Sequence, residues 1–248
     1  MIFIVLNFTL AGVLLTIGVL TLKKVSHAGE WVFASLPLLF GLHQFDQGIV
    51  WLGLLHVVDT HVLHVAAQLF VFYAQAVLPV LVPLAVWLLE ARGPKRDLLA
   101  SLVLIGALLA VYVGWGLAHY PTQVYVHHVS LVYANASIAH LWIALLYILT
   151  TCGSLILSRS VTIQLFGWLN LIGLVVVYLI AQYAFTALWC LYAALVSGML
   201  YLYFIERRIA FLSALRRTEV QVEHEVDDEL ARLTRHLPRL RRLLVRPH

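Results

Sequence analysis

Charged residues are scarce in this sequence. Only 11% of the 248 residues are Asp, Glu, Lys or Arg and 62% are hydrophobic, whereas a soluble domain carries about 25% charged and about 45–50% apolar residues. The shortage of charge argues against an ordinary soluble domain. Apolar stretches of about 20 residues recur along the chain, and this length crosses a hydrocarbon core about 30 Å thick. The composition therefore predicts a chain embedded in lipid.

Several motifs that would identify a chemistry are also absent. The two cysteines, Cys152 and Cys190, lie in apolar segments and form no CxxC pair, which argues against a disulfide framework or a thiolate zinc site. The sequence contains no HExxH motif and no Gly-rich phosphate loop. No lysine lies inside an apolar stretch where it could hold retinal. These absences argue against a helical zinc protease, a nucleotide-binding site of this type and a rhodopsin.

The apolar stretches predict an all-α, polytopic integral membrane protein with a seven-helix transmembrane bundle. The first stretch lacks the basic region and the cleavage site of a signal peptide, so we expect it to be retained. Residues 1–205 form the predicted transmembrane domain, and residues 206–248 form a separate tail. The predicted spans are residues 2–22, 31–57, 62–89, 98–119, 133–157, 162–183 and 185–205.

Basic residues occupy alternate loops of this arrangement. The loops near 56–64, 119–132 and 183–186 contain no Lys or Arg. Cytoplasmic loops carry the excess of Lys and Arg, so we expect the N-terminus outside and the C-terminus in the cytoplasm, as in a multi-pass protein of the inner cell membrane. The basic residues that define this orientation are Lys23 and Lys24, then Arg92, Lys95 and Arg96, then Arg159, then Arg207 and Arg208.

The tail is amphipathic and basic. Ten of the sixteen basic residues follow Glu206, so the net charge of +4 does not indicate nucleic-acid binding. The pattern predicts a helix lying on the anionic inner leaflet; a short coiled coil interrupted by Pro238 is the alternative. The apolar stripe of this helix, spaced three or four residues apart, consists of Val226, Leu230, Leu233, Leu237, Leu240 and Leu244.

Asp46 is the one acidic residue well inside a predicted span. His43, Asp46 and Gln47 stand at positions i, i+3 and i+4, which places them on one helix face. A carboxylate at that depth costs several kcal/mol unless it is paired or hydrated. An imidazole one turn away can share a proton with it, or be oriented by it as a metal ligand. A polar cluster that only fixes helix packing is the alternative.

Two further spans carry polar stripes. In span three the stripe falls within about 60° of helix rotation and consists of His61, His64, Gln68 and Gln75. In span five it consists of His140, Tyr147, Thr151 and Ser154. We expect spans two, three and five to enclose one polar pocket that opens to the outside.

Histidines concentrate on the predicted outer side, where eight of the twelve lie. Imidazoles suit zinc, copper and haem iron, so these are the candidate cofactors. His61 and His64 have the i, i+3 spacing that lets two ligands reach one ion. The predicted metal ligands are His43, His61, His64 and His140. Proton handling and histidines that merely sit at the interface remain alternatives.

Three segments resemble a family of bacterial integral membrane proteins of unknown function, across most of residues 1–205. They read SLPLLFGLHQFDQGIVWLGL, HLWIALLYILTTCGSLILSRS and ALWCLYAALVS. Gln44 and His140 match a Gln-plus-acid motif in the second span and a His that opens the fifth. The family acid more often stands at the place of Gln47, whereas here it is Asp46. The resemblance implies a seven-helix architecture and brings no activity with it.

The seven-span, His-rich pattern is also similar to the alkaline ceramidase and progestin-receptor-like hydrolases. Those proteins use a zinc site that draws on histidines in a late helix, and the predicted spans six and seven contain none. This departure argues against that class.

The sequence therefore predicts a membrane binding or transport protein whose outward-facing pocket holds a metal ion, haem or protons. One alternative is a membrane-embedded metal-dependent hydrolase or haem-linked oxidoreductase that uses the same residues. Another is a non-catalytic subunit of a membrane complex, docked through the tail to a protein partner or to a second copy. The residues predicted to line the pocket are His43, Asp46, Gln47, Gln68, Gln75 and His140.

Overall fold

A computed structural model describes residues 2–127, 130–181 and 185–206. By its contacts the chain divides into two units, Met1–Phe204 and Ile205–His248. The predicted amphipathic helix of the tail, with the basic residues Arg207 and Arg208, lies outside the described residues, as does His128.

The described part is mostly helical. Its helices are α1 Ile2–Leu22, α2 Trp31–Leu54, α3 Thr60–Phe72, α4 Leu78–Leu89, α5 Pro94–His119, α6 Leu141–Ile148, α7 Ser154–Leu157, α8 Val161–Ala181 and α9 Phe185–Ser197. A 3₁₀ turn at Ala28–Glu30 precedes α2. After a two-residue turn beyond α9, the chain is helical again over residues 200–206.

In the described part of the chain, five helical segments are long and apolar enough to cross a membrane, and this confirms a helical membrane protein. They are Ile2–Leu22, Thr60–Leu89, Pro94–His119, Val161–Ile180 and Ala187–Glu206. Two other helical segments coincide with predicted spans. The helix α2 has 24 residues and carries the polar residues of the Asp46 motif, and Leu141–Leu157 is a shorter apolar helix.

A β-hairpin stands where the fifth span was predicted to begin. The strand β1, Gln123–His127, pairs antiparallel with β2, Ser130–Ala134, and Tyr125 lies opposite Val132. Both strands are rich in Val and Tyr, which favour extended backbone. The following helix begins at Leu141, after the extended residue His140. The predicted start at residue 133 was therefore wrong.

Glycines allow neighbouring helices to approach closely. A Cβ atom on Gly18 would meet the backbone of Leu38, and one on Gly41 would meet the backbone of Leu15, so α1 and α2 pack almost backbone to backbone. A Cβ atom on Gly106 would collide with the carbonyl group of Pro79, where α5 meets α4. Small residues at such crossings are the usual means of helix association in lipid.

Two short π-helical segments interrupt the long helices. The first, Tyr73–Val77, joins α3 to α4, and the second, Leu149–Gly153, joins α6 to α7. Pro79 accounts for the first, because its ring lacks an N–H and clashes with the carbonyl of the residue four positions earlier, which is Gln75.

Threonine hydroxyls account for the second π segment. Thr150 Oγ1 donates to the carbonyl oxygen of Leu146 over 2.8 Å, and Thr151 Oγ1 donates to that of Tyr147 over 2.7 Å. Such bonds to the preceding turn compete with the regular helical pattern. Segments of this kind often lie at functional sites.

A buried carboxylate ties the end of α4 to the loop before α8. Glu90 is 6% exposed, and its Oε1 accepts hydrogen bonds from Arg159 N over 2.6 Å and from Ser158 Oγ over 3.2 Å. Its Oε2 lies 3.5 Å from Arg159 Nε in an ion pair. This loop is predicted to face the cytoplasm.

Candidate functional site

Polar side chains of α2 lie inside the helix bundle. His43, Gln44 and Gln47 are 4%, 0% and 5% exposed, and Asp46 is half-buried beside them. Among the described residues, no hydrogen-bond partner reaches His43 Nε2, either end of the Gln44 amide, Asp46 Oδ2 or Gln47 Oε1. Buried polar atoms are normally paired, since an unpaired one costs about 1–3 kcal/mol. This concentration on one helix marks α2 as the centre of the candidate site.

The His43 ring belongs to a column of stacked rings. It stacks on Phe70 of α3 with a centroid distance of 4.0 Å, and its centroid lies 4.6 Å from that of Tyr73 in the first π segment. Phe70 in turn stacks on Tyr133 of β2 at 4.3 Å. The column therefore connects α2 to the hairpin across α3. The hydroxyl groups of Tyr73 and Tyr133 are buried and have no hydrogen-bond partner in the described part of the chain.

Tyr133 also approaches the acid of the motif. It lies close enough to Asp46 and to the Cys190 thiol to interact with both electrostatically. Cys190 is in the same range of Tyr73 and Tyr147. Three tyrosines from three different elements thus interact electrostatically with the thiol of α9.

A cavity of about 580 Å³ lies beside this cluster. The first π segment, the hairpin, the connection from the hairpin to α6, and the helices α6 and α8 supply its walls. Tyr133 lines the cavity and also belongs to the ring column, so it joins the two. Tyr147 lines the cavity as well, and its hydroxyl oxygen accepts a hydrogen bond from Trp189 Nε1 over 3.1 Å. The polar residues of the lining are Gln75, Tyr120, Gln123, Tyr133, Asn135 and Tyr147.

Asn135 fixes the hairpin end of the cavity. Its Nδ2 donates to the carbonyl oxygen of Tyr120 over 2.9 Å and to Thr122 Oγ1 over 3.1 Å. Its Oδ1 accepts from the backbone N–H of Ser137 over 2.9 Å. This network holds the segment after β2 against the segment before β1, so this wall is rigid.

Gln47 lines a separate, much smaller cavity. Its volume is about 30 Å³, and Asn7 of α1 and Ser130 of β2 line it together with Gln47. Asn7 Oδ1 and Gln47 Oε1 have no hydrogen-bond partner among the described residues. The volume suits about one water molecule, so Asn7 extends the polar cluster onto α1.

The predicted pocket residues come together only in part. Gln75 lines the large cavity, while His43, Asp46 and Gln47 belong to the α2 cluster. Gln68 is exposed on α3, and its Nε2 lies 3.5 Å from the carbonyl oxygen of Leu117.

The predicted outer histidines lie at the surface. His61 and His64 are exposed near the start of α3. His140 is exposed at the start of α6 and stacks on Trp142 with a centroid distance of 6.3 Å. The ring of His43 contacts the rings of Phe70 and Tyr73, whereas the ring of His140 contacts that of Trp142. In the described ranges, no three His, Cys, Asp or Glu side chains group closely enough to hold a metal ion, and metal binding by these histidines stays a prediction.

Sequence reasoning missed Tyr73, Tyr133 and Asn7. The signal for Asn7 was a single amide side chain in the middle of an apolar span. The signal for Tyr133 was weaker, because it depends on the hairpin, which the hydrophobicity of residues 130–139 conceals.

The chain was compared with known proteins. No curated protein and no solved structure matches it. A family model matches residues 6–215, which includes all three segments that carried the resemblance and the first residues of the tail. The chain therefore belongs to DUF6629, a family of unknown function.

Proposed function

We propose that this chain is a membrane protein of the binding or transport class that exchanges protons at Asp46 with its outer side. The proposal is carried by a group of buried polar atoms on α2 that have no hydrogen-bond partner among the described residues. A cavity that the hairpin borders lies next to them. Polar groups in a membrane interior are expensive and are usually functional. A cluster that served packing alone would be expected to satisfy its own hydrogen bonds.

The proposed topology has seven spans, with the hairpin on the outer side. The helix α2 has 24 residues and is therefore about 36 Å long, which exceeds a hydrocarbon core of about 30 Å. It packs against α1, α3 and α9, as a spanning helix would. Leu141–Leu157 supplies the fifth span. The alternation of basic loops then favours a cytoplasmic side at Glu90 and Arg159, and an outer side at Tyr125.

In the proposed route the proton passes from the large cavity to Tyr133 and then to Asp46. A phenol hydroxyl both donates and accepts a proton, and Tyr133 lies in the cavity wall and within electrostatic range of Asp46. His43, one turn earlier, offers a second proton acceptor.

Proton flux into liposomes tests this function. The purified chain is reconstituted with a pH-sensitive dye inside the vesicles, and a potassium diffusion potential is imposed. We expect wild-type protein to acidify the lumen, and Asp46→Asn to slow the flux about a hundred-fold, which is the usual contribution of a positioned proton-transfer group.

Asp97→Asn is the matched control, because Asp97 is exposed at the start of α5. Equal flux in Asp46→Asn and wild type would contradict the proposal. A metal-dependent enzyme or a non-catalytic subunit predicts no flux from any of these proteins, so the same measurement separates proton transport from these two classes.

A further inference from the structure

The large cavity has the size and lining of a small-molecule site. Its volume of about 580 Å³ falls within the roughly 300–1,000 Å³ of ligand pockets. None of the described residues that line it is acidic, basic or a histidine. A charged ligand would therefore lose its hydration without gaining an ionic partner, and this favours an uncharged ligand.

The residues that form this neutral lining include hydrogen-bond donors. Tyr133 is 7% exposed, and its hydroxyl group is buried behind the lining without a hydrogen-bond partner among the described residues. The oxygen of Tyr147 already accepts from Trp189, which leaves its proton available for donation. The amide of Gln75 adds two more donors. These donors would pair with ligand oxygens that only accept hydrogen bonds, such as carbonyl oxygens.

Two of the helices that line the cavity, α6 and α8, carry strongly exposed apolar residues. On α6, Leu141 and Leu145 are 74% and 58% exposed, and on α8, Leu179 and Ile180 are 75% and 77% exposed. In a membrane-spanning chain these surfaces face lipid tails. A ligand that entered the cavity past these helices would come from the bilayer and would have to be soluble there.

We propose that the cavity binds an uncharged, lipid-soluble carbonyl compound, with its carbonyl oxygen hydrogen-bonded to the hydroxyl group of Tyr133. This binding goes beyond proton exchange and does not require it, since Asp46 is not among the lining residues. In the ring column, the rings of Tyr133 and Phe70 separate the bound ligand from His43 of the α2 cluster.

Two matched probes test the carbonyl requirement. Duroquinone is a methylated ring with two carbonyl groups and no free position for thiol addition, and durene is the methylated ring without the carbonyl groups. Equilibrium dialysis is run between lipid nanodiscs with protein and empty nanodiscs, so that partition into lipid cancels. We expect duroquinone to accumulate on the side with the protein, and durene to accumulate there much less.

Variants of two tyrosines on the same hairpin locate the contact. Tyr133→Phe removes only the unpartnered hydroxyl and should weaken duroquinone binding about five- to ten-fold, the value of one hydrogen bond, while leaving durene unchanged. Tyr125→Phe is the control, because Tyr125 is 46% exposed and lies outside the cavity. No excess duroquinone with wild type, equal binding of both probes, or an unchanged affinity in Tyr133→Phe would each overturn the proposal.

A cavity-filling variant provides a second test that does not depend on Tyr133. Ala144 lines the cavity and is exposed on α6, so Ala144→Phe occupies the space without entering the packed core. We expect it to abolish duroquinone binding, whereas Leu145→Phe on the neighbouring exposed position should retain it. Binding unaffected by Ala144→Phe would place the ligand elsewhere and overturn the proposal. Asp46→Asn should bind duroquinone normally, which keeps a failure of this inference distinct from a failure of proton exchange.

Discussion

At the scale of single residues, Gln44 shows how the candidate site differs from ordinary core. It is completely buried, and neither the oxygen nor the nitrogen of its amide has a hydrogen-bond partner in the described ranges. Leucine occupies a similar volume without polar atoms. A residue kept at a cost to stability is typical of functional sites.

We expect Gln44→Leu to stabilise the protein by about 1 kcal/mol, because it removes an unsatisfied buried amide, and to slow proton flux. Thermal unfolding in detergent measures the first effect and liposome flux the second. Gln164→Leu is the contrasting variant, since Gln164 Nε2 donates to the carbonyl oxygen of Ser158 over 2.6 Å and its loss should destabilise. A lower unfolding temperature in Gln44→Leu would show that this amide has partners.

Glu90 is a buried acid of a different kind, because its Oε1 accepts two hydrogen bonds and its Oε2 forms an ion pair with Arg159. We expect Glu90→Ala to lower the free energy of unfolding by about 2–3 kcal/mol, through loss of charge-assisted hydrogen bonds to Ser158 and Arg159. Glu90→Gln keeps an oxygen that accepts both bonds, so it should cost about 1 kcal/mol. Thermal unfolding of the two variants side by side is the measurement. Equal losses of stability in the two variants would show that the negative charge is responsible. An unchanged stability in both would show that Glu90 does not stabilise the fold.

Much of the site could be predicted at this scale, and some could not. The depth of Asp46, its neighbours on the same helix face, and the polar stripe that includes Gln75 follow from helical periodicity and from the cost of polar groups in lipid. The ring contacts of His43 could not be predicted, because they depend on which rotamer fits between Phe70 and Tyr73. The surface position of His140 follows from the hairpin before it, which shifts the start of α6.

At the scale of elements, the spans were predicted well where hydrophobic length alone decides them. The first span begins and ends at residues 2 and 22, as predicted. The hairpin and the two π segments were not predicted from the sequence, because they depend on local interactions. Pro79 removes a hydrogen-bond donor, and the hydroxyl groups of Thr150 and Thr151 capture carbonyl oxygens, neither of which changes the hydrophobicity of the span.

The crossing of α4 and α5 gives a prediction at this scale. A methyl group on Gly106 would collide with the backbone carbonyl of Pro79, which cannot move aside as a side chain would. We expect Gly106→Ala to destabilise the protein by about 2 kcal/mol, in the range of overpacked cores. Gly12→Ala is the matched control, because nothing lies within 4 Å of its added methyl group.

Thermal unfolding of the two glycine variants in the same detergent compares them directly. Gly12→Ala should be neutral or slightly stabilising, since alanine favours helix more than glycine does. Equal unfolding temperatures for Gly106→Ala and wild type would mean that α4 and α5 do not cross at this point.

At the scale of the whole molecule, the proposed topology places Tyr125 and Lys95 on opposite sides of the membrane. Both are exposed, and the two native cysteines are buried. We expect a membrane-impermeant maleimide to label Tyr125→Cys in intact cells, and to label Lys95→Cys only after the cells are broken.

The unsubstituted chain is the control and should remain unlabelled in both conditions. Labelling of Lys95→Cys in intact cells would reverse the orientation. Labelling of both variants in intact cells would require an even number of crossings between them, and would remove the proposed span at residues 94–119.

The central claim is that Asp46 exchanges a proton with the outer solution, and infrared difference spectroscopy tests it most directly. Spectra of the purified protein in lipid are recorded as the buffer is moved between acidic and alkaline pH and then changed to D₂O, for wild type beside Asp46→Asn. The account predicts a carboxyl C=O band in wild type that responds to pH, shifts in D₂O and is missing from Asp46→Asn. Identical difference spectra from the two proteins would show that Asp46 does not exchange its proton, and would leave the α2 cluster as a feature of helix packing.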